Sequence, residues 1–293
     1  MKNRVFLRLL FMFVIVVCLT LAIMIRSSTG QEEFKEGAIG GLTIYSTAGQ
    51  YEFKIPIGAK QIGYYIVGGG GGGGFGFGST GSGGGGGAVS YSDLMDITGS
   101  GFAVGNSYIV TIGSSGNGAI SGTNSTAGGA SIIECRVPPT AGVAPILPTC
   151  SGFTTIKCNG GGGGGSGSKT EGGIGGVSAG GKVNITGANG ARSGTLNAGI
   201  AGDKGTEVTL SFGKYQYGAG GASGKIGTNP PNSNRIPKGG SIGGGDGCLL
   251  YNNEVFKSAT AGTCGGGGGG GAGASDGAAG AAGGAGYCVI MCI

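Results

Sequence analysis

Uninterrupted runs of glycine constrain the fold of this chain more than any other feature of its sequence. Four runs contain five to seven glycines each, and they lie at Gly68–Gly74, Gly83–Gly87, Gly160–Gly165 and Gly265–Gly271. Such a run has no side chain that could pack, donate a hydrogen bond or catalyse a reaction. Only the backbone is left to form structure, and it can be approached from every side.

Two structures are compatible with these runs. One is a flexible, solvated linker. The other is an extended left-handed helix of the polyproline-II type, with about three residues per turn and about 3.1 Å rise, in which seven glycines span roughly 22 Å. Its N–H and C=O groups point outward, so several copies can hydrogen-bond to one another when no side chain separates them. Because the chain supplies several such segments, we expect an ordered polyglycine-II bundle, with the linker as the alternative.

The spacing of glycines near the C-terminus favours the threefold helix. Here glycine recurs at every third position, with one interruption at Ala274. The members of this series are Gly265, Gly268, Gly271, Gly277, Gly280, Gly283 and Gly286. Collagen shares this period, but the block contains no proline and the phase is not kept across the chain. The pattern therefore predicts a helix with one glycine face, and it argues against a collagen triple helix.

The first 30 residues have the character of a targeting segment. Lys2, Arg4 and Arg8 precede the uncharged apolar run Leu9–Ile25, and Ser28-Thr29-Gly30 offers the small residues that a signal peptidase requires. The run is long for a signal peptide and short for a membrane span. A hydrophobic signal or anchor helix is expected, either cleaved before Gln31 or retained as an anchor through residues 9–25. Both alternatives place the remaining chain outside the cytoplasm.

The positive net charge belongs mostly to this segment. The chain has 18 Lys and Arg residues, 13 Asp and Glu residues and a formal net charge of +5. Four of the basic residues lie before position 31, which leaves 14 basic residues against 13 acidic ones. The remaining basic residues are scattered, so we expect neither a nucleic-acid surface nor a polybasic membrane surface.

Residues 31–67 and two later stretches predict β-strands. Leu42 and Ile44, then Tyr51, Phe53 and Ile55, alternate with more polar neighbours. A turn is expected at Pro56-Ile57-Gly58, and Ile62–Val67 then leads directly into the first glycine run. Further strands are predicted at 108–113 and 287–293. The domain at 31–293 is thus expected to be all-β, with small antiparallel sheets packed against the glycine bundle.

The residues from Tyr51-Glu52-Phe53-Lys54-Ile55-Pro56-Ile57-Gly58-Ala59 to Ile66-Val67 and the following glycines resemble a known family. They are similar to the opening of the glycine-rich domains of bacterial and phage surface proteins, including tail-fibre tip adhesins. The glycine-rich extracellular domain of the anaplastic lymphoma kinase receptors is similar in style. The resemblance covers about residues 43–87. It implies a polyglycine bundle beside a small β-sheet, and it implies no catalytic residues.

Seven cysteines follow the targeting segment and are disulfide candidates, because export favours oxidation. They are Cys135, Cys150, Cys158, Cys248, Cys264, Cys288 and Cys292. Cys288 and Cys292 share one face of a predicted strand, about 13 Å apart, and are too distant to bond each other. We expect them to find distant partners. Since seven is odd, at least one cysteine is left over. We expect it to be Cys292, either free or linked to a second molecule, with a buried, inert thiol as the alternative.

Residues 131–158 differ in composition from the glycine-rich sequence around them. They contain three of the cysteines and four prolines, and they indicate an inserted, stapled loop. Binding residues are often placed on loops of a rigid scaffold. This loop and a second one at about 228–238 are therefore the candidate ligand-binding elements.

The residues that most catalytic and metal sites require are missing. The sequence has no histidine, no Cys-x-x-Cys and no phosphate-binding loop, so we expect no enzyme, no cofactor and no metal site. Asp93 and Asp96 could form a metal or acid–base pair. The simpler expectation is a turn with solvated carboxylates.

These features together predict an exported structural or adhesive protein of the cell surface or extracellular space. Its expected partner is itself, as a subunit of a filament or matrix, or an unidentified surface ligand. The alternative is a receptor-type or ligand-binding module that uses the non-glycine loops. A phage tip adhesin is disfavoured, because tail proteins need no export signal.

Overall fold

The computed structural model describes residues 41–76, 80–121, 123–136, 150, 152–166, 171–192, 200–217, 219–227, 238–240, 243–251, 254–262 and 278–293. The predicted targeting segment at 1–30 and the run Gly265–Gly271 lie outside these residues. Within them the fold is mostly β-sheet, and the α-helical structure is one turn at Ile97–Ser100. The prediction of an all-β fold with antiparallel sheets is therefore confirmed for the described residues.

The first sheet contains five antiparallel strands, in which the first and last strands of the described residues are neighbours. Its order is β1-β15-β3-β4-β9. The strands are β1 (Gly41–Tyr45), β3 (Gln61–Val67), β4 (Val89–Asp96), β9 (Val183–Ile185) and β15 (Tyr287–Cys292). The register pairs Tyr45 with Cys288 and Cys288 with Ile66. The predicted C-terminal strand is therefore an interior strand of the sheet, and it inserts between β1 and β3.

The second sheet also has five antiparallel strands, in the order β2-β5-β6-β7-β8. They are β2 (Gly49–Lys54), β5 (Ser107–Ile112), β6 (Ser131–Arg136), β7 (Ile156–Cys158) and β8 (Ser178–Ala179). Strand β5 confirms the strand predicted at 108–113. The loop predicted at 131–158 begins and ends in strands β6 and β7, which pair with each other. Its two ends are therefore part of the sheet, and residues 137–149 lie outside the described part of the chain.

Two smaller sheets complete the described strands. Strands β10 (Thr206–Leu210) and β11 (Gly213–Tyr217) form an antiparallel hairpin. Strand β12 (Lys225–Gly227) pairs in parallel with β13 (Leu249–Tyr251), and β13 pairs antiparallel with β14 (Glu254–Lys257).

The predicted turn at Pro56-Ile57-Gly58 is present and explains why glycine stands there. The Ala59 N–H donates to the Pro56 carbonyl at 3.2 Å. Gly58 has φ +95°, a conformation that L side chains rarely adopt and glycine tolerates. The turn reverses the chain between β2 and β3, so the two strands can enter different sheets.

The main hydrophobic core lies between the two five-stranded sheets. It receives Ile62, Tyr64 and Ile66 from β3, and Tyr108 and Val110 from β5. These side chains are at most 1% exposed. Since burying one such aliphatic side chain contributes about 1.5–3 kcal/mol, this core is the main apolar contribution to folding.

The opposite face of the first sheet is covered by the β10–β11 hairpin. Tyr65 and Val67 pack there with Val208 and Leu210 of the hairpin. The rings of Tyr65 and Tyr215 stack with centroids 4.8 Å apart, and the Tyr65 hydroxyl donates to the Gln216 carbonyl at 3.0 Å. Strand β3 therefore has buried side chains on both faces, which matches its nearly continuous apolar sequence.

Candidate functional site: the hydrogen-bonded glycine segments

The run Gly68–Gly74, here called the central segment, is buried and donates hydrogen bonds to three neighbouring segments in turn. Its residues donate to one neighbour at every third position. The donor–acceptor pairs are Gly68–Ala88, Gly71–Gly85 and Gly74–Ser82 to the first neighbour, Gly69–Gly129 and Gly72–Thr126 to the second, and Gly70–Gly284 and Gly73–Ala281 to the third, all with N···O distances of 2.7–3.0 Å. A backbone that returns to the same neighbour every third residue makes about three residues per turn.

The carbonyl groups of the central segment serve two further segments. Gly161 and Gly164 donate to the carbonyls of Gly69 and Gly72, again three residues apart on both sides. Gly116 and Ala119 donate in the same way to Gly70 and Gly73. The central segment thus bonds to five others. This arrangement supplies partners for buried backbone groups outside a β-sheet.

The same period is present in the other glycine runs. Gly83 and Gly86 donate to the carbonyls of Ala191 and Ala188, and Gly85 donates to Gly162. Near the C-terminus, Gly280, Gly283 and Gly286 donate to Ala119, Gly116 and Gly113. The last three positions belong to the period-three series of the sequence, and here they bond to a single neighbour.

Close backbone approach explains why these runs consist of glycine. An added Cβ atom would come closer than 3.0 Å to the backbone or a short side chain of a neighbouring segment, a distance that real Cβ atoms essentially never show. This applies at Gly68, Gly74, Gly83, Gly87, Gly160, Gly280, Gly283 and Gly286. Gly165 accepts a hydrogen bond from the Ser82 N–H at 3.0 Å. Gly265 and Gly271 lie outside the described residues.

Buried serines end several of these segments, and the sequence reasoning missed them. Ser82 Oγ donates to the carbonyl of Glu171 at 2.6 Å, Ser131 Oγ accepts from the Gly113 N–H at 2.9 Å, and Ser223 Oγ accepts from the Ile200 N–H at 2.7 Å. All three are fully buried. A serine is the smallest side chain that can supply a hydrogen bond where a segment leaves the threefold pattern, and its position close to a glycine run was the available signal.

A family model for a glycine-rich domain matches residues 46–292. The chain belongs to this glycine-rich domain family. The match begins just before β2 and ends in β15, so it includes the second sheet, most of the first and the glycine segments between them. A comparison with curated proteins found no match.

One disulfide lies in the described part of the glycine-rich domain. It joins Cys135 on β6 to Cys150, with Cα atoms 6.0 Å apart. Both residues were disulfide candidates, and the bond closes the predicted stapled loop. Phe153, which follows, packs edge-on against Phe102 and Tyr108.

Three other disulfide candidates are thiols instead. Cys158, Cys288 and Cys292 are each at most 2% exposed, and all three lie in the main core. Cys288 and Cys292 do share one face of β15, as expected, and that face packs in the main core, where neither of them forms a disulfide. Cys292 corresponds to the buried-thiol alternative, since a buried cysteine behaves as a small hydrophobic residue. Cys248 is also buried and packs near Ala278, and Cys264 lies outside the described residues.

Burial makes these thiols poor nucleophiles. It raises the pKa of Cys158 to about 12 and that of Cys292 to about 11. The pKa of Cys288 is raised well above its ordinary value, first by burial and then by the nearby Cys158. The thiolate is the reactive form of cysteine, so a raised pKa leaves these side chains inert near neutral pH.

The turn predicted at Asp93 and Asp96 is wrong, because both residues lie in strand β4, but both are exposed, as expected of solvated carboxylates. The Asp93 carboxylate accepts hydrogen bonds from the Leu94 N–H at 2.9 Å and from the backbone N–H and hydroxyl of Ser211. These bonds lower the pKa of Asp93, the Ser211 hydroxyl most of all. Asp96 accepts from Gln61 Nε2 at 3.3 Å. Through the bonds from Ser211, the Asp93 carboxylate thus links strand β4 to the β10–β11 hairpin.

The candidate ligand loops are described only at their ends. In the loop at about 228–238, Lys238 pairs with Asp246 at 2.9 Å. Within the described ranges, no group of three or more His, Cys, Asp or Glu residues could hold a metal ion. No helix in the same ranges is long and apolar enough to cross a membrane.

Proposed function

We propose that this glycine-rich domain is an exported structural or adhesive protein of the cell surface or extracellular space, and that its glycine segments form a polyglycine-II bundle acting as a rigid scaffold. The observation that carries the proposal is the bonding of Gly68–Gly74 to five other segments with a period of three residues. Such a bundle has no side chains inside it. Its contribution is shape and stiffness, which suits a protein that presents loops or joins an assembly.

Export is supported by the sequence. The basic residues Lys2, Arg4 and Arg8, the apolar run Leu9–Ile25 and the small residues Ser28-Thr29-Gly30 are typical of a signal peptide or signal anchor. The disulfide Cys135–Cys150 is consistent with an oxidising compartment. The membrane would be contacted only through residues 9–25, if the segment is not cleaved.

A second candidate function is a receptor-type or ligand-binding module. The observation that favours it is that β6, β7 and the disulfide Cys135–Cys150 fix both ends of the 131–158 loop on the second sheet. A stapled loop on a rigid support is preorganised for binding, because less conformational entropy is lost when it binds. Its partner would be a surface ligand, and no cofactor or nucleic acid is involved in either function.

Cell fractionation of the full chain tests export. The wild-type chain is expected outside the cytoplasm, and N-terminal sequencing of the recovered protein distinguishes cleavage before Gln31 from retention of the anchor. The variant Val14→Arg/Val16→Arg, which places two charges in the middle of the apolar run, should stay in the cytoplasm. If the wild type and this variant fractionate alike, the export proposal fails.

Amide hydrogen exchange tests the bundle independently of export. In the bundle, the N–H groups of Gly69–Gly73 are hydrogen-bonded and buried, so they should exchange as slowly as those of β3. In a solvated linker they would exchange at the rate of an unfolded chain. Electron microscopy of the same material separates the two functions, since filaments, sheets or other multimers support assembly and discrete monomers support a binding module.

A further inference from the structure

Strand β1 is an edge strand with no charge on it. It pairs with β15 on one side, and among the described residues no other strand pairs with it. Its sequence Gly41-Leu42-Thr43-Ile44-Tyr45 contains no charged residue, and Leu42 and Ile44 are 44% and 49% exposed. An uncharged, apolar edge is the kind that pairs with another strand.

The other edges of the two large sheets differ from β1. Strand β2, at the edge of the second sheet, exposes Gln50, Glu52 and Lys54. Strands β8 and β9 are only two and three residues long. Charge and shortness are the usual means by which an edge strand avoids further pairing. Strand β1 is neither charged nor as short as β8 and β9, so it differs from the other edge strands of the two large sheets.

The residues of β1 are complementary to themselves. If two copies of β1 pair antiparallel about Thr43, Leu42 of each copy lies opposite Ile44 of the other. Tyr45 then lies opposite Gly41, where its ring meets no competing side chain. No like charges meet, in contrast to β2, where pairing about Glu52 would place this carboxylate opposite its own copy. A twofold interface of this kind requires such self-complementarity.

The pairing would also extend an apolar surface that already exists. Ile44 is the cross-strand neighbour of Val289, which neighbours Tyr65 beneath the β10–β11 hairpin. Leu42 neighbours Met291 on the same face. The side chains of Leu42 and Ile44 are therefore the uncovered margin of a packed apolar face, and a second copy would bring an identical margin beside them.

We propose that the β1 edge is a homodimer interface, in which two copies pair antiparallel about Thr43 and join their first sheets into one ten-stranded sheet. The occupant of this edge is a second copy of the same chain. This deepens the assembly part of the proposed function, on which it rests, by naming its partner surface. It does not depend on export, so a failure of the pairing leaves the export test unaffected.

Charge swapping at β1 tests the pairing in the full chain, purified in detergent so that the apolar N-terminal run is solubilised in every sample. The molar mass is measured by light scattering over a dilution series. The wild type is expected to be a dimer. The variant Leu42→Lys/Ile44→Lys and the variant Leu42→Glu/Ile44→Glu should each associate at least about tenfold more weakly, because like charges then face each other. An equimolar mixture of the two should dimerise again.

Matched controls replace apolar side chains that are exposed elsewhere. Ile57 and Ile174 are 80% and 73% exposed, and Ile57→Lys/Ile174→Lys should leave the dimer intact. Circular dichroism, together with protection of the buried Cys292 thiol from labelling, shows that each variant is folded. A monomeric wild type overturns the proposal. That result is expected if residues before Gly41 cover the β1 edge. It is also overturned by a dimer that survives both charge variants, or by a mixture that stays monomeric.

Discussion

The ring of Phe212 lies directly over Gly63, so that a Cβ atom added to Gly63 would be 2.5 Å from Phe212 Cε1. Gly63→Ala should therefore push the half-buried Phe212 ring, and the hairpin turn that carries it, away from the first sheet. Because this is overpacking at a buried position, we expect destabilisation of about 1–3 kcal/mol. Chemical denaturation measures it, and near-ultraviolet circular dichroism reports the loss of the Tyr65–Tyr215 stack.

The clash predicts non-additivity between the two positions. The double variant Gly63→Ala/Phe212→Ala should lose less stability than the sum of the two single variants, by about 0.5–3 kcal/mol, because the new methyl group no longer meets a ring. Strictly additive losses would show that Phe212 is not the reason for glycine at position 63.

Gly69→Val should disrupt the glycine core. A Cβ atom there would collide with the Ser114 carbonyl oxygen and come close to the Gly129 N–H. Backbone atoms bonded to further segments cannot move aside, so we expect a loss at or above the upper end of the about 1–3 kcal/mol typical of overpacking. Gly99→Val is the matched control, since nothing lies within 4 Å of that position. Equal protease resistance in both variants would contradict the close packing described for Gly69.

Removal of the Cys135–Cys150 disulfide should destabilise the second sheet. The bond closes a loop with a sequence separation of 15, for which the chain-entropy model gives about 3 kcal/mol. The double variant Cys135→Ser/Cys150→Ser is expected to unfold at lower denaturant concentration. Adding a reductant should shift the wild type by a similar amount and leave the variant unchanged. A wild type insensitive to reductant would argue against the bond.

The thiols of Cys158, Cys288 and Cys292 should resist alkylation in the native protein. Their raised pKa values leave little thiolate at about pH 8, and burial blocks access. Mass spectrometry after iodoacetamide treatment should find these three cysteines labelled only when denaturant is present. Rapid labelling of Cys292 in native conditions would place it at the surface instead.

The tie between Asp93 and Ser211 should make the hairpin sensitive to acid. The pKa of Asp93 is lowered in the folded protein, so the ionised carboxylate stabilises the fold above the ordinary pKa of 3.8, and this contribution is lost as the pH falls through the lowered value. Asp93→Asn should weaken the hairpin at neutral pH and reduce its acid dependence. Ser211→Ala should do so partly, because one of the hydrogen-bond donors is removed.

A comparison of these two variants with the double variant checks the tie. If Asp93 and Ser211 act on the hairpin through each other, Asp93→Asn/Ser211→Ala should be little worse than Asp93→Asn alone. An acid dependence that is identical in the wild type and Asp93→Asn would assign the effect to another carboxylate.

The sequence by itself determined the β class, the strands at 108–113 and 287–293, and the turn at Pro56. These depend on alternation and on the backbone preferences of proline and glycine, which are local. The period of three near the C-terminus likewise marked Gly280, Gly283 and Gly286, because a residue without a Cβ is needed wherever a neighbouring backbone comes close. The glycine-run boundaries at Gly68 and Gly74 coincide with the part of the chain that bonds to its neighbours.

Only the tertiary structure decided which segments meet. Nothing local to Cys288 and Cys292 distinguishes a disulfide from a buried thiol, since that depends on which side chains the opposite sheet brings to them. The position of Asp93 beside Ser211 and of Gly63 beneath Phe212 depends on contacts between residues far apart in the chain. A glycine run is also identical at every position, so its sequence carries no information about register. The partners of each N–H group are set by the sheets at its ends, which fix where each segment begins.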